Sequence, residues 1–268
     1  MLDNIFLHAP IFLLIFGRIF AMLMVLPLFS MRSAPRIAKI ALAGYMACFL
    51  LNTADLSIYE TYLAQEGIPS LQFVLLLVGE VLIGIILGFY ISIIFSSFSS
   101  AGQFVAFQMG LGAASAYDSL SQVENPLMGQ FFNLVAMLIF LQTKWFQKLF
   151  LGGLVTSFQT LNALSIVNAK DSLMNFMLRG LTKLFADALV ISLPILGTLF
   201  LITICTGLLT KAAPQMNLLS EGFPIMILVG FAIIVIALPS ITDFFIRSFN
   251  AGFIEIEKLF TSVSGGIK

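Results

Sequence analysis

The chain has 268 residues, 60% of them hydrophobic and 10% charged, with 13 basic residues balanced by 13 acidic ones. A soluble domain carries about a quarter charged residues and about half apolar ones, so this composition marks a membrane protein or a subunit buried in a membrane-associated assembly. The zero net charge leaves no basic patch of the kind that holds nucleic acid.

There are 28 Phe against one Trp and five Tyr. Phe fills apolar packing surfaces, whereas Trp and Tyr mark lipid headgroup belts, which points to a surface that faces protein more than lipid. Cys48 and Cys205 fall inside apolar runs and read as buried small hydrophobes, not as a disulfide framework. The start, MLDNIFLHAPIF, lacks a basic leader and its apolar run continues past signal length, so it is expected to be retained.

Six apolar runs follow in chain order. Pro10 to Phe29 is about long enough to span, given roughly 20 residues per crossing, and contains Arg18. Pro27, Arg32, Pro35, Arg36 and Lys39 lead into a shorter run, Ile37 to Asn52, and then a polar connection with Asp55, Glu60 and Glu66. By the positive-inside rule the first connection is cytoplasmic, and the second lies on the opposite side with the start of the chain. Leu71 to Phe98 is longer than a crossing requires. It carries Glu80 and the pair Gly84 and Gly88, whose spacing puts both on one helix face and permits close helix contact. Leu127 to Leu141 ends at Lys144, Trp145 and Lys148, and a less regular part continues to Asp171. Phe176 to Leu209 holds Lys183, Asp187 and Pro194, the last expected to bend it by removing a backbone bond. Phe223 to Ile246, with Pro239 and Asp243, is the final run, and an amphipathic tail begins at Arg247. Strict alternation of sides would put Lys144, Lys148 and Lys170 outside and Asp118 and Glu124 inside, against the charge rule. Either one run is re-entrant or the helices do not form a conventional bundle in the bilayer.

Between the apolar halves lies Ala101 to Gln130, AGQFVAFQMGLGAASAYDSLSQVENPLMGQ, too rich in small and polar residues for an ordinary span. Its four glycines and the run Ala113, Ala114, Ser115 and Ala116 let backbones approach closely. In a membrane protein such a segment is tolerated only against other protein or a water-filled cavity. That makes it the candidate working part; the plain alternative is a loop that packs on its own bundle.

Arg18, Glu80, Asp187 and Asp243 sit within apolar runs as candidate buried charges, and Lys183 lies near the end of one. A central charge costs roughly 2.5–3.5 kcal/mol on insertion scales, so each should have a partner or a wet cavity. Lys183 and Asp187, four apart, share a helix face and can pair. Arg18 and Glu80 can pair across helices or with another subunit. Pairing is preferred to a proton relay because no second acidic cluster or His chain accompanies these groups. Enzymatic chemistry finds no footing: His8 is the sole histidine, no His, Cys or Asp cluster has metal-ligand spacing, and no Ser has a base beside it. No phosphate-binding glycine motif occurs either, so no catalytic residue, metal or cofactor is expected. Met109, Met128, Met137 and Met216 can seal around a passing chain, although a Met near an apolar run more often fills a packing gap.

The connection before the last run reads GLLTKAAPQMNLLSEGFPIMILVG. Its Ala213, Pro214, Gln215, Met216 and Asn217, followed after a short spacer by Gly222, Phe223 and Pro224, resemble the signature of the FliR family, flagellar export-gate subunits related to the injectisome subunit SctT. Gly79, Glu80, Gly84 and Gly88, running into Ala101, Gly102 and Gln103, are similar as well. So are Gln108, Met109, Gly110 and Leu111 leading to Asp118 and Pro126, and the early Arg18, Pro27, Ala34 and Pro35. The resemblance covers nearly the whole chain, in order.

It implies a single all-α domain over residues 1–268, built of membrane-associated helical hairpins, with a FliP-like part (about 1–175) fused to a FliQ-like part (about 176–268). It further implies a non-enzymatic export-gate subunit in the bacterial inner membrane at the flagellar basal body. One copy would join FliP and FliQ in a helical protein-conducting pore, with FlhB and FlhA as further partners and unfolded proteins as cargo. The family's central loop plugs the closed pore. By position the plug here is Gly110, Leu111, Gly112, Ala113, Ala114, Ser115, Ala116, Tyr117, Asp118, Ser119 and Leu120. Ala113 and Ala116 stand where many relatives have bulkier residues, and Ser119 where a proline is usual, which leaves Leu111, Tyr117 and Leu120 as the large side chains of the segment. Two other classes suit the residues alone: a subunit of an ion-coupled secondary transporter, with Glu80, Asp187 or Asp243 as coupling site, and a structural membrane scaffold.

Overall fold

Every regular element among the described residues of the computed structural model is a helix; these residues are 2–30, 35–51, 71–111, 127–161, 163, 166, 169–212 and 222–265. In chain order they form α1 (Leu2–Val25), α2 (Pro27–Ser30), α3 (Arg36–Leu51), α4 (Leu71–Gln108), α5 (Leu127–Gln142) and α6 (Trp145–Gln147). A π-helical stretch (Lys148–Leu154) leads into α7 (Val155–Thr160), and α8 (Lys170–Ala212) and α9 (Phe223–Gly265) complete the chain. The helix ends follow local chemistry. Pro27 opens α2 and Pro35 precedes α3, positions where the missing proline N–H is not needed. Asp171 lies in the first turn of α8 and Lys211 in its last, each favourable toward the helix dipole.

Among the described residues all six apolar runs are helical, so the all-α membrane-associated class holds. Their lengths differ from a row of equal spans. Among the described residues α4, α8 and α9 are long and apolar enough to cross a membrane, and α5 together with the helical stretch that follows Lys144 adds a fourth candidate. The 16 residues of α3 make about 24 Å at 1.5 Å per residue, short of a hydrocarbon core of about 30 Å. The 43 residues of α8 and of α9 make about 65 Å each.

The chain divides into two units. In the first (1–93, 144–180 and 251–268), α1 lies tight against α4. A Cβ on Gly84 would overlap the Arg18 carbonyl, and one on Gly88 would come 2.8 Å from the Met22 carbonyl oxygen. The four-residue step is matched on both helices, so the GxxxG face is a helix crossing. Tyr90 of α4 stacks on Phe176 of α8 with ring centroids 4.0 Å apart, and Trp145 meets Phe253 edge-on at 5.3 Å.

The second unit (94–143 and 181–250) is built around aromatic rings. Phe95 and Phe98 of α4, Phe140 of α5, and Phe245 and Phe249 of α9 form one cluster, with centroids 3.8 Å apart for Phe98 and Phe245 and 5.0 Å for Phe95 and Phe249. Five of the 28 Phe are therefore internal packing in this one cluster, whereas others, such as Phe107 and Phe185, are exposed.

Several expectations are corrected. Ala101 to Gln108 is not part of an irregular segment but the end of α4, with Ala101, Val105 and Met109 buried at four-residue intervals. The stretch from Trp145 to Thr160 is helical, not irregular. Cys48 and Cys205 are exposed: Cys48 sits beside the buried stripe of Ala43, Ala47 and Leu50 instead of on it, and Cys205 lies on a stretch of α8 that this chain leaves uncovered. Residues in an apolar run face inward only where the chain itself supplies a neighbour.

Candidate functional site

Arg18 and Glu80 form a fully buried ion pair in the first unit, each 0% exposed. Arg18 Nε donates to Glu80 Oε2 at 2.6 Å, Nη1 donates to Ser157 Oγ at 3.0 Å, and Nη2 donates to the Leu161 carbonyl at 2.7 Å. The guanidinium carbon sits 3.9 Å from the centre of the Phe158 ring, in reach of a cation–π contact. The second Glu80 oxygen accepts from the Ala163 backbone N–H at 3.0 Å. A Cβ on Gly79 would lie 2.7 Å from Ala163 Cβ, so that glycine lets the segment come close enough. The cluster ties α1, α4 and the chain around Ser157 to Ala163 into one network, in which the planar fork of arginine serves several acceptors at once.

Lys183 and Asp187 pair within α8 in the second unit, Nζ to Oδ2 at 2.6 Å. Ser248 of α9 donates to the same carboxylate oxygen, and Lys183 Nζ donates to Ser248 Oγ at 3.3 Å. A lysine acting as base on a serine would aim a lone pair at the hydroxyl. Here the carboxylate receives both groups, an arrangement that holds two helices together. Asp243 is a correction. It is exposed while Ile241 and Phe245 are buried, because two positions along an α-helix lead to its opposite side. Lys39, read as part of a cytoplasmic connection, is buried within α3.

The ends of the central segment are held by close backbone contacts, all in the second unit. At its start α4 stops on Gly110, whose φ of +80° lies in the left-handed region that glycine adopts freely. The Gly110 N–H donates to the Phe107 carbonyl at 3.1 Å. A Cβ on Gly110 would collide with the Phe223 ring at the first turn of α9. Met109 is fully buried, its Cγ and Cε 2.8 Å and its Sδ 2.9 Å from where a Gly230 Cβ would stand. Where the chain returns, a Cβ on Gly102 would lie 2.5 Å from the Met128 carbonyl oxygen and 2.8 Å from Gly129 Cα. A Cβ on Gly129 would lie 3.0 Å from the Ser99 carbonyl oxygen. Two stretches far apart in sequence thus meet at two points, Gly110 against Phe223 and Met109 against Gly230. Among the proposed plug residues Gly110 and Leu111 are described, whereas Gly112, Ala113, Ala114, Ser115, Ala116, Tyr117, Asp118, Ser119 and Leu120 lie outside the described residues. Ala213, Pro214, Gln215, Met216 and Asn217 lie outside them as well.

Residues 9–252, which include every side chain of these clusters, match the model of the family described as bacterial export proteins, family 1. The chain belongs to that family. It is 30% identical over 235 residues to the flagellar biosynthetic protein FliR of Bacillus subtilis, covering 85% of this chain and 86% of that one. It is 29% identical over 236 residues to FliR of Escherichia coli K12, covering 85% and 84%. The surface presentation of antigens protein SpaR of Shigella flexneri is 27% identical over 165 residues, covering 60% of this chain and 61% of its own.

In this bacterial export protein some important side chains escaped the sequence reading. Ser157, beside Thr156, and Ser248, beside Arg247, carried no signal, because nothing local sets them apart or names their partners. The contact of Met109 with Gly230 carried none, because their meeting depends on how α4 and α9 cross.

Proposed function

We propose that this chain is a non-enzymatic core subunit of the flagellar type III protein export gate, forming with FliP and FliQ a helical protein-conducting pore in the bacterial inner membrane. FlhB, FlhA and unfolded export substrates are its further partners. The central segment, Gly110 to Leu120, closes the pore: its small residues let it swing aside, and Leu111, Tyr117 and Leu120 limit leakage when it is in place. The division into a FliP-like part up to about residue 175 and a FliQ-like part beyond it belongs to the same proposal.

The observation that carries the reading is the treatment of the central segment's two ends. Each is held by glycine contacts too close for any side chain, at Gly102 with Gly129 and at Gly110 with Phe223. These contacts fix where the segment leaves α4 and where it rejoins α5. The transporter reading draws less support, since Glu80 is engaged by Arg18 and Ala163, and Asp187 by Lys183 and Ser248.

The test is co-purification with FliP and FliQ, followed by ion conductance with and without residues 111–125. The expected result is a stable complex, tight when intact and leaky after the deletion. A chain that purifies alone, with conductance unchanged by the deletion, sinks the reading.

A further inference from the structure

We infer that Met109 and Phe223 are positioning residues that fix the root of the central segment on α9, so that the root at Gly110 keeps its place whether the gate is closed or open. The inference rests on the plugged-gate reading and deepens it. Phe223 and Gly230 stand seven positions apart on α9, hence on one face, two turns from each other. Met109 and Gly110 grip that face at both points. At one a fully buried thioether fills the space that Gly230 leaves open; at the other Gly110 leaves open the space that the Phe223 ring fills. The two fits are complementary in sense, a knob from α4 at the first and a knob from α9 at the second. Sliding the root along α9 would empty one contact and jam the other, which close-packed interiors resist. The left-handed Gly110 then sets the direction in which the chain leaves.

A cysteine pair tests this in the complete export complex. The chain has two native cysteines, and Cys48→Ala with Cys205→Ala removes them. In Met109→Cys with Gly230→Cys, the new sulfur at 109 takes the place of a Cγ that lies 2.8 Å from the position of a Gly230 Cβ. That geometry suits a disulfide, in which the S–S bond of about 2.05 Å puts each sulfur about 3 Å from the Cβ of the other cysteine. The crosslink is expected to form both in resting complexes and in complexes arrested with cargo inside, with no loss of export on oxidation. Met109→Ala is expected to raise resting conductance, and Met109→Leu to restore tightness. A crosslink that fails to form, that forms only at rest, or that stops export until reduced overturns the inference. So does an assembled Met109→Ala complex that stays tight. If instead deletion of residues 111–125 leaves the complex tight, the plug reading fails, while the crosslink still judges whether the root is fixed.

Discussion

Arg18 gathers a carboxylate, a hydroxyl, a carbonyl and an aromatic ring around one guanidinium, out of reach of solvent. Taking two charges out of water costs several kcal/mol per ion, and only good geometry with further hydrogen bonds offsets it. The energetic consequence is asymmetric. Glu80→Gln leaves the guanidinium without a counter-charge and is expected to cost about 3–5 kcal/mol, whereas replacing both partners by apolar residues costs less than either single change. Thermal unfolding of the detergent-solubilised protein measures this, comparing Arg18→Leu, Glu80→Leu and the double variant. Losses that simply add would show that the pair is not coupled. The Lys183, Asp187 and Ser248 cluster keeps some solvent access at Lys183, and Ser248→Ala is expected to cost only about 0.5–1.5 kcal/mol, the usual net worth of one hydrogen bond.

At the scale of elements, two helix pairs in this protein meet through glycine. α1 and α4 cross at Gly84 and Gly88, and α4 and α5 meet at Gly102 and Gly129. In a bilayer no hydrophobic force draws helices together, so association depends on how closely their backbones approach. Not every glycine has this role: Gly207 on α8 has nothing within 4 Å of a Cβ built on it. In the isolated chain Gly207→Ala is therefore expected to be neutral or to stabilise by about 0.5–1 kcal/mol through helix propensity. Gly84→Ala must push α1 from α4 and is expected to destabilise. Melting temperatures of the two variants against the parent decide it, and equal effects would contradict the crossing.

For the whole molecule, the informative feature is what this chain leaves uncovered. In the most apolar stretches of α8 and α9 only 28% and 17% of residues are buried, against 50% in α4. Val235 and Ile236 are 70% and 80% exposed. With α8 and α9 each about 65 Å long, much apolar surface must be met by lipid, by other subunits, or by both. The export-gate proposal favours subunits. A lysine at a span centre costs roughly 2.5–3.5 kcal/mol, too little to expel helices this apolar. Ile236→Lys is thus expected to leave the chain in the membrane fraction but to abolish co-purification with FliP and FliQ. An Ile236→Lys chain that assembles normally would assign that face to lipid.

Much of the architecture is local and was readable without coordinates. The six apolar runs became helices because apolar periodicity and length determine a helix wherever backbone groups must satisfy themselves. The i,i+4 spacing brought Lys183 to Asp187, and Gly84 with Gly88 marked a close crossing for the same reason. Family motifs spread through the chain announced its kinship. Tertiary structure alone decided the rest. Nothing near Arg18 in sequence names Glu80 as its counter-ion, 62 residues away, or Ser157 as a further partner. Nor does an apolar run say which of its faces the chain itself will cover, which is why Cys48, Cys205 and Asp243 point outward. The meeting of Met109 with Gly230 and of Gly110 with Phe223 arises only when two helices distant in sequence cross at a fixed height. Periodicity along a helix is set by bond geometry within a few residues, whereas partners across helices are chosen by the packing of the whole fold.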